Sequence, residues 1–174
     1  TNNWRVQPIF DQNSIITDGL NDGVVNSNTA NEVRFINFGN LAGGDGIDNF
    51  VIDSFGSFSG ILNGAAGANT LSAKDVANTW NILASNSTLI YGVITTTFNN
   101  IQSLTGGSTS DDTFTLNSGA SITGIDTGGG NNTVTINTGG IVTGAITGRS
   151  GVDTIDVSGT VGSIDTGDGA TNSV

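Results

Sequence analysis

The amino-acid sequence predicts an all-β protein, a parallel β-helix or β-solenoid of about 20 residues per coil. A glycine-rich motif returns at near-constant spacing, the residues after each copy alternate apolar and polar, and the alphabet disfavours helix. The motif is an apolar residue, a glycine-rich stretch, Asp or Asn, usually Thr, then another apolar residue. It reads LNGAAGANTL at 62–71, IDTGGGNNTV at 125–134 and ITGRSGVDTI at 146–155. Its Asp/Asn position falls at Asp48, Asn69, Asp112, Asn132, Asp153 and, degenerately, Asn172, with spacings of 21, 43, 20, 21 and 19. The 43-residue step reads as two coils with an unrecognisable one between them. Glycine costs a helix roughly 1 kcal/mol per residue, and this chain has 27 glycines. An antiparallel sandwich would also alternate, but it would not need one motif to recur once per coil. A solenoid does need it, because equivalent residues stack about 4.8 Å apart.

In chain order, NNWRV at 2–6 matches NTWNI at 78–82, and FINFGNLAGGDGIDNFVID at 35–53 matches FNNIQSLTGGSTSDDTFTLN at 98–117. The offset is 76 between Trp4 and Trp80 but 63 between Phe35 and Phe98, so the first unit holds thirteen extra residues near DQNSIITDGLNDG. Residues 11–31 are therefore expected to be a surface insertion that can be deleted without loss of the fold. The stretch 83–97, containing SNSTLIYGVITTT, reads as an irregular coil. In DTFTLN at 112–117, Phe114 and Leu116 face one way while Thr113, Thr115 and Asn117 face the other. NTVTIN at 132–137 and DTIDV at 153–157 repeat this with Val134, Ile136, Ile155 and Val157. After the corners SGAS, TGG and SGT, the pairs Ile122 with Ile125 and Val142 with Ile146 mark a further strand in each coil. Phe50, Leu71, Phe114, Val134 and Ile155 are expected to form one interior column. The Asp/Asn positions should form a hydrogen-bonded ladder in which amides separate carboxylates. Residues 1–174 read as one solenoid segment of a larger repeat protein.

Composition removes several functions. Fourteen aspartates and Glu32 face only Arg5, Arg34, Lys74 and Arg149, a net charge of −11, so nucleic acid and anionic lipid surfaces are repelled. The absence of cysteine excludes disulfides and thiolate metal sites and suits a bacterial cell-surface protein. No apolar run approaches the ~20 residues of a membrane span, and TNNWRV does not read as a signal peptide.

The combination of NTWNI, FNNIQSLTGGSTSDDTFTLNSGASITG and GGGNNTVTI resembles the repeat regions of very large bacterial surface and secreted adhesins, filamentous-hemagglutinin-like or autotransporter-like. The resemblance covers most of the chain, most strongly from Asn69 onward. It implies a right-handed parallel β-helix in an extracellular stalk or fibre, secreted or on the bacterial cell surface. Its partners would be neighbouring coils of the same chain, further copies of it, or a host or cell-surface receptor or glycan.

One turn, GGDGIDNF at 43–50, resembles a degenerate repeats-in-toxin turn, which implies Ca²⁺ held by Asp45 and Asp48. The facing turn GAAGANTL has Ala66 for Asp45 and Asn69 for Asp48, so both carboxylates are lost there. The other reading, turn glycines with Asp/Asn capping the next strand, is favoured by that loss.

Catalysis finds little support. There is no histidine or cysteine, and the Asp111–Asp112 pair should point to opposite faces unless the turn bends there. No catalytic residue is assigned, and a carbohydrate-active β-helix enzyme is the alternative. Trp4, Trp80 and Tyr91 read as core packing rather than a sugar-stacking platform. A third reading, an ice- or mineral-binding face, rests on Thr133, Thr135 and Asn137. It is weakened by Thr154 and Asp156 in the next coil, where a flat threonine grid would be wanted.

Overall fold

Alternating residues become short strands wherever a glycine corner ends the run. The computed structural model describes residues 38–54 and 56–168 with their side chains, and five earlier strands as backbone. Those five are β1 (Asn2–Val6), β2 (Phe10–Asp11), β3 (Ser14–Ile15), β4 (Gly23–Val25) and β5 (Val33–Phe35). There follow β6 (Asn40–Ala42), β7 (Asp48–Ile52), β8 (Ile61–Asn63), β9 (Thr70–Ser72), β10 (Asn78–Ile82), β11 (Ser87–Tyr91) and β12 (Ile94–Asn99). The last are β13 (Ser103–Thr105), β14 (Thr113–Leu116), β15 (Ser121–Ile122), β16 (Gly124–Gly129), β17 (Thr133–Ile136), β18 (Ile141–Ser150), β19 (Thr154–Val157) and β20 (Thr160–Asp165). The described residues contain no helix.

The strands stack as a β-solenoid whose coils alternate between two sheets. The first sheet runs β15-β18-β16-β13-β9-β7-β1-β4-β5, with β20 on β18; the second runs β19-β17-β14-β10-β11-β12-β8-β6. Most pairings are parallel and join residues about one coil apart: Asp48 with Asn69 (21 residues), Asp112 with Asn132 (20) and Asn132 with Asp153 (21).

The expected single interior column is two columns. On the first sheet Phe50, Leu71, Leu104, Ile125, Ile146 and Ile164 lie in register. On the second, Trp80, Phe114, Val134 and Ile155 do. Phe50, Leu71, Phe114, Val134 and Ile155 are all buried, in one cluster fed by both sheets. The physical reason is that the motif occurs twice within one coil: ANTL ends at Leu71, and ANTW ends at Trp80 nine residues later. Asn69 leads into the first sheet and Asn78 into the second, and every later copy follows Asn78.

The same hand-over explains the 43-residue step. No unrecognisable coil lies between Asn69 and Asp112. Instead, the chain leaves β10 for two antiparallel strands, β11 and β12, before rejoining the stack in parallel with β8. The earlier copy of the long repeat does likewise, with β1, β4 and β5 antiparallel in turn and Trp4 in register with Phe50, as Trp80 is with Phe114. The insertion expected at 11–31 lies largely outside the described residues; the strand within it that pairs with β1 is β4.

Candidate functional site

The turns between sheets hold the buried carboxylates, so they are where chemistry would be sought. In the turn before β14, Asp112 folds back and its Oδ2 accepts from the Gly107 amide at 2.5 Å. This closeness requires glycine at 106, since a Cβ there would collide with Asp112 Oδ2 and with the Thr127 carbonyl of the next coil. Gly148 stands in the same relation to Asp153. In the turn between them Thr127 replaces the glycine, and its hydroxyl accepts from Asn132 Nδ2 at 3.3 Å.

Between coils the same side chains form ladders. Asn78 donates its backbone N–H (2.7 Å) and Nδ2 (2.8 Å) to Asp112 Oδ1. Asp112 N–H donates to Asn132 Oδ1 at 2.8 Å, and Asn132 donates N–H and Nδ2, each at 2.9 Å, to Asp153 Oδ1. Amide and carboxylate alternate along this ladder, as expected, so each carboxylate has an N–H donor beside it. Burial nevertheless raises the Asp112 pKa, against the opposing pull of the Gly107 and Asn78 hydrogen bonds. A shorter ladder on the other side joins Asp48 N–H to Asn69 Oδ1 (2.9 Å) and Asn69 N–H to Gln102 Oε1 (2.7 Å).

These ladders bear on calcium. Asp48 is wholly buried, and its Oδ2 accepts from the Gly44 amide at 2.8 Å. Asp45 is exposed. Asn69 turns its Nδ2 to the Ala66 and Asn100 carbonyls. Asp45 and Asp48 thus do not converge on one cage of hard oxygens, and no group of three or more acidic, histidine or cysteine ligands assembles among the described residues. The residues present do not fit the ion.

The other singled-out residues are placed as follows. Asp111 is exposed and accepts from the Asn131 amide at 2.6 Å, while Asp112 is buried in the ladder, so the two carboxyls do not share a site. Trp80 is fully buried, stacked on Phe114 at 5.4 Å and edge-on to Phe98 at 5.9 Å. Tyr91 is buried, and its hydroxyl accepts from Phe58 N–H at 2.7 Å. Neither presents a ring for sugar stacking; Trp4 has no described side chain.

Two polar devices were not legible beforehand. Exposed Asp75 accepts from the hydroxyls of Ser108 and Thr109 and the amides of Thr109 and Ser110, all between 2.8 and 3.1 Å. The Thr109 amide first, then the two hydroxyls, hold this carboxyl far below the usual range. Arg149 forks onto Asp126 of the previous coil, with Nε at 2.9 and 3.1 Å from its two oxygens. Both lie beside a groove of about 490 Å³ that Lys74 also lines. Lys74 itself donates to the Gly56 carbonyl at 3.0 Å and sits 4.9 Å over the Tyr91 ring. Asp75, Lys74 and Arg149 are therefore each engaged within the fold.

No protein-family model, curated protein or solved structure matches this chain. The resemblance to adhesin repeats rests on the motifs quoted above.

Proposed function

We propose that this chain is a rigid structural and adhesive module of a large extracellular bacterial surface protein, a piece of stalk or fibre. The observation that carries the reading is the column of paired residues that runs coil by coil from Phe50 through Leu71, Leu104, Ile125 and Ile146 to Ile164. Each coil packs only on its neighbours, so the architecture lengthens by adding coils and stays stiff, as a stalk must. The buried carboxylates support the same reading, because their described hydrogen bonds go to ladder and turn amides rather than into a cleft. Receptor or glycan contacts of such a module belong to its outward surfaces. Calcium plays no part in the proposal.

The test is surface display. Antibodies against the segment should label intact cells of the producing bacterium, and small-angle scattering of the purified chain should fit an elongated particle. Labelling only after permeabilisation would overturn the reading, as would release of reducing ends from a polysaccharide by the chain alone.

A further inference from the structure

The outer face of the second sheet is paved with threonine. Followed by pairing across β12, β11, β10, β14, β17 and β19, one outward column is Thr95, Ile90, Thr79, Thr113, Thr133 and Thr154. The adjacent column, two residues along each strand, is Thr97, Thr88, Asn81, Thr115, Thr135 and Asp156. Nine of these twelve positions are threonine, and all twelve are exposed or half-buried. The excursion contributes Thr88, Thr95 and Thr97: it reverses strand direction yet keeps the outward positions in step, so the irregular coil extends the array. No register shift interrupts these pairings.

The array is a two-dimensional lattice. Neighbouring strands lie about 4.8 Å apart, and successive outward residues on one strand about 6.6 Å apart. Threonine is stiff at χ1, so each hydroxyl and methyl holds a nearly fixed place on that lattice. Each hydroxyl both donates and accepts, while each methyl borders water it cannot hydrogen-bond.

Charge and side-chain type select the partner. In a chain of net charge −11, the face carries one charge, Asp156, on the last strand of the array. An ionic mineral, nucleic acid or charged membrane has almost nothing to pair with. A folded protein would need aromatic or arginine anchors, and a polysaccharide an aromatic platform; none of the twelve positions supplies either. The partner that fits is itself a rigid, neutral lattice of hydrogen-bond donors and acceptors. We infer that this face binds crystalline water: the threonine rows hold a layer of ordered water that joins the surface of ice. The inference needs only the fold and stands apart from the stalk reading.

The experiment uses the whole 174-residue chain and ice as the probe. Partition into a slowly growing ice hemisphere and the gap between melting and freezing temperatures are measured for the parent chain, for Thr133→Tyr at the array and for Ser72→Tyr on the outer face of the other sheet. Circular dichroism confirms that each is folded, and Thr154→Tyr replaces Thr133→Tyr if that variant is not. The parent and Ser72→Tyr should enter the ice and open a temperature gap, and Thr133→Tyr should lose most of both. A folded parent excluded from ice, or equal loss in the two variants, overturns the inference. So does retention of the parent on crystalline cellulose or chitin with none on ice, which would point to a polysaccharide.

Discussion

Asp112 and Asn78, 34 residues apart in sequence, are joined by two hydrogen bonds to a single oxygen: Asn78 N–H and Nδ2 both donate to Asp112 Oδ1, at 2.7 and 2.8 Å. Two steps up the ladder, Asn132 and Asp153 repeat the geometry. In both steps the amide donates and the carboxylate accepts.

That polarity predicts the outcome of Asn132→Asp. The change removes the Nδ2 donor to Asp153 Oδ1 and to the Gly130 carbonyl and sets a third carboxylate between Asp112 and Asp153. It should destabilise the fold by about 2–4 kcal/mol at neutral pH. Like charges raise the pKa of such a group, so acidification should protonate it and recover part of the loss. Urea midpoints at neutral and mildly acidic pH measure both effects.

Asp112 and Asp75 should respond to acid in opposite directions. Burial raises the Asp112 pKa, so its ionised form costs stability above the folded pKa, and that cost is relieved as pH falls through it. Asp75 is held far below the usual carboxylate range by Thr109 and Ser108, so its contribution is present above the unfolded pKa and is lost only as pH falls to its much lower folded value. In an NMR titration the Thr109 and Ser110 amides should stay in place until the pH falls far below the usual carboxylate range. Asp75→Ala should speed hydrogen exchange at those two amides and leave the melting temperature nearly unchanged, because the carboxylate is exposed.

Gly106→Ala should cost about 1–3 kcal/mol by overpacking. Its Cβ meets the Thr127 carbonyl, which is backbone and cannot swing away, as well as Asp112 Oδ2. Gly39→Ala, where nothing lies within 4 Å of the added carbon, is the control and should be near neutral in thermal melts.

Trp80→Ala should cost about 3–5 kcal/mol by removing a fully buried ring from between Phe98 and Phe114. Trp80→Phe should be much milder. The indole Nε1 is buried without a hydrogen-bond partner, so phenylalanine sheds an unsatisfied donor along with the lost volume. Denaturant unfolding of the two variants gives the comparison.

The regular strands and their period are legible in short stretches of residues. Alternation in TFTL, TVTI and TIDV requires strands, because residues two apart share a face and only one face can be buried. Glycine and Asp/Asn every 20 or 21 residues mark the turns, because a buried carboxylate needs both an amide donor and the space of a missing Cβ. These are properties of a few neighbouring residues, so they can be read locally. Which sheet each strand joined was decided only by tertiary structure. ANTL and ANTW are nearly the same word, yet Leu71 pairs with Phe50 and Leu104, whereas Trp80 pairs with Phe114 and Leu89. The difference lies in which backbone, from 9 to 34 residues away, meets each strand's hydrogen bonds. For the same reason the threonine array could not be seen from TVTIN and its nearest neighbour: Thr88, Thr95 and Thr97 reach that face only because β11 and β12 add to the sheet edge that β10 offers.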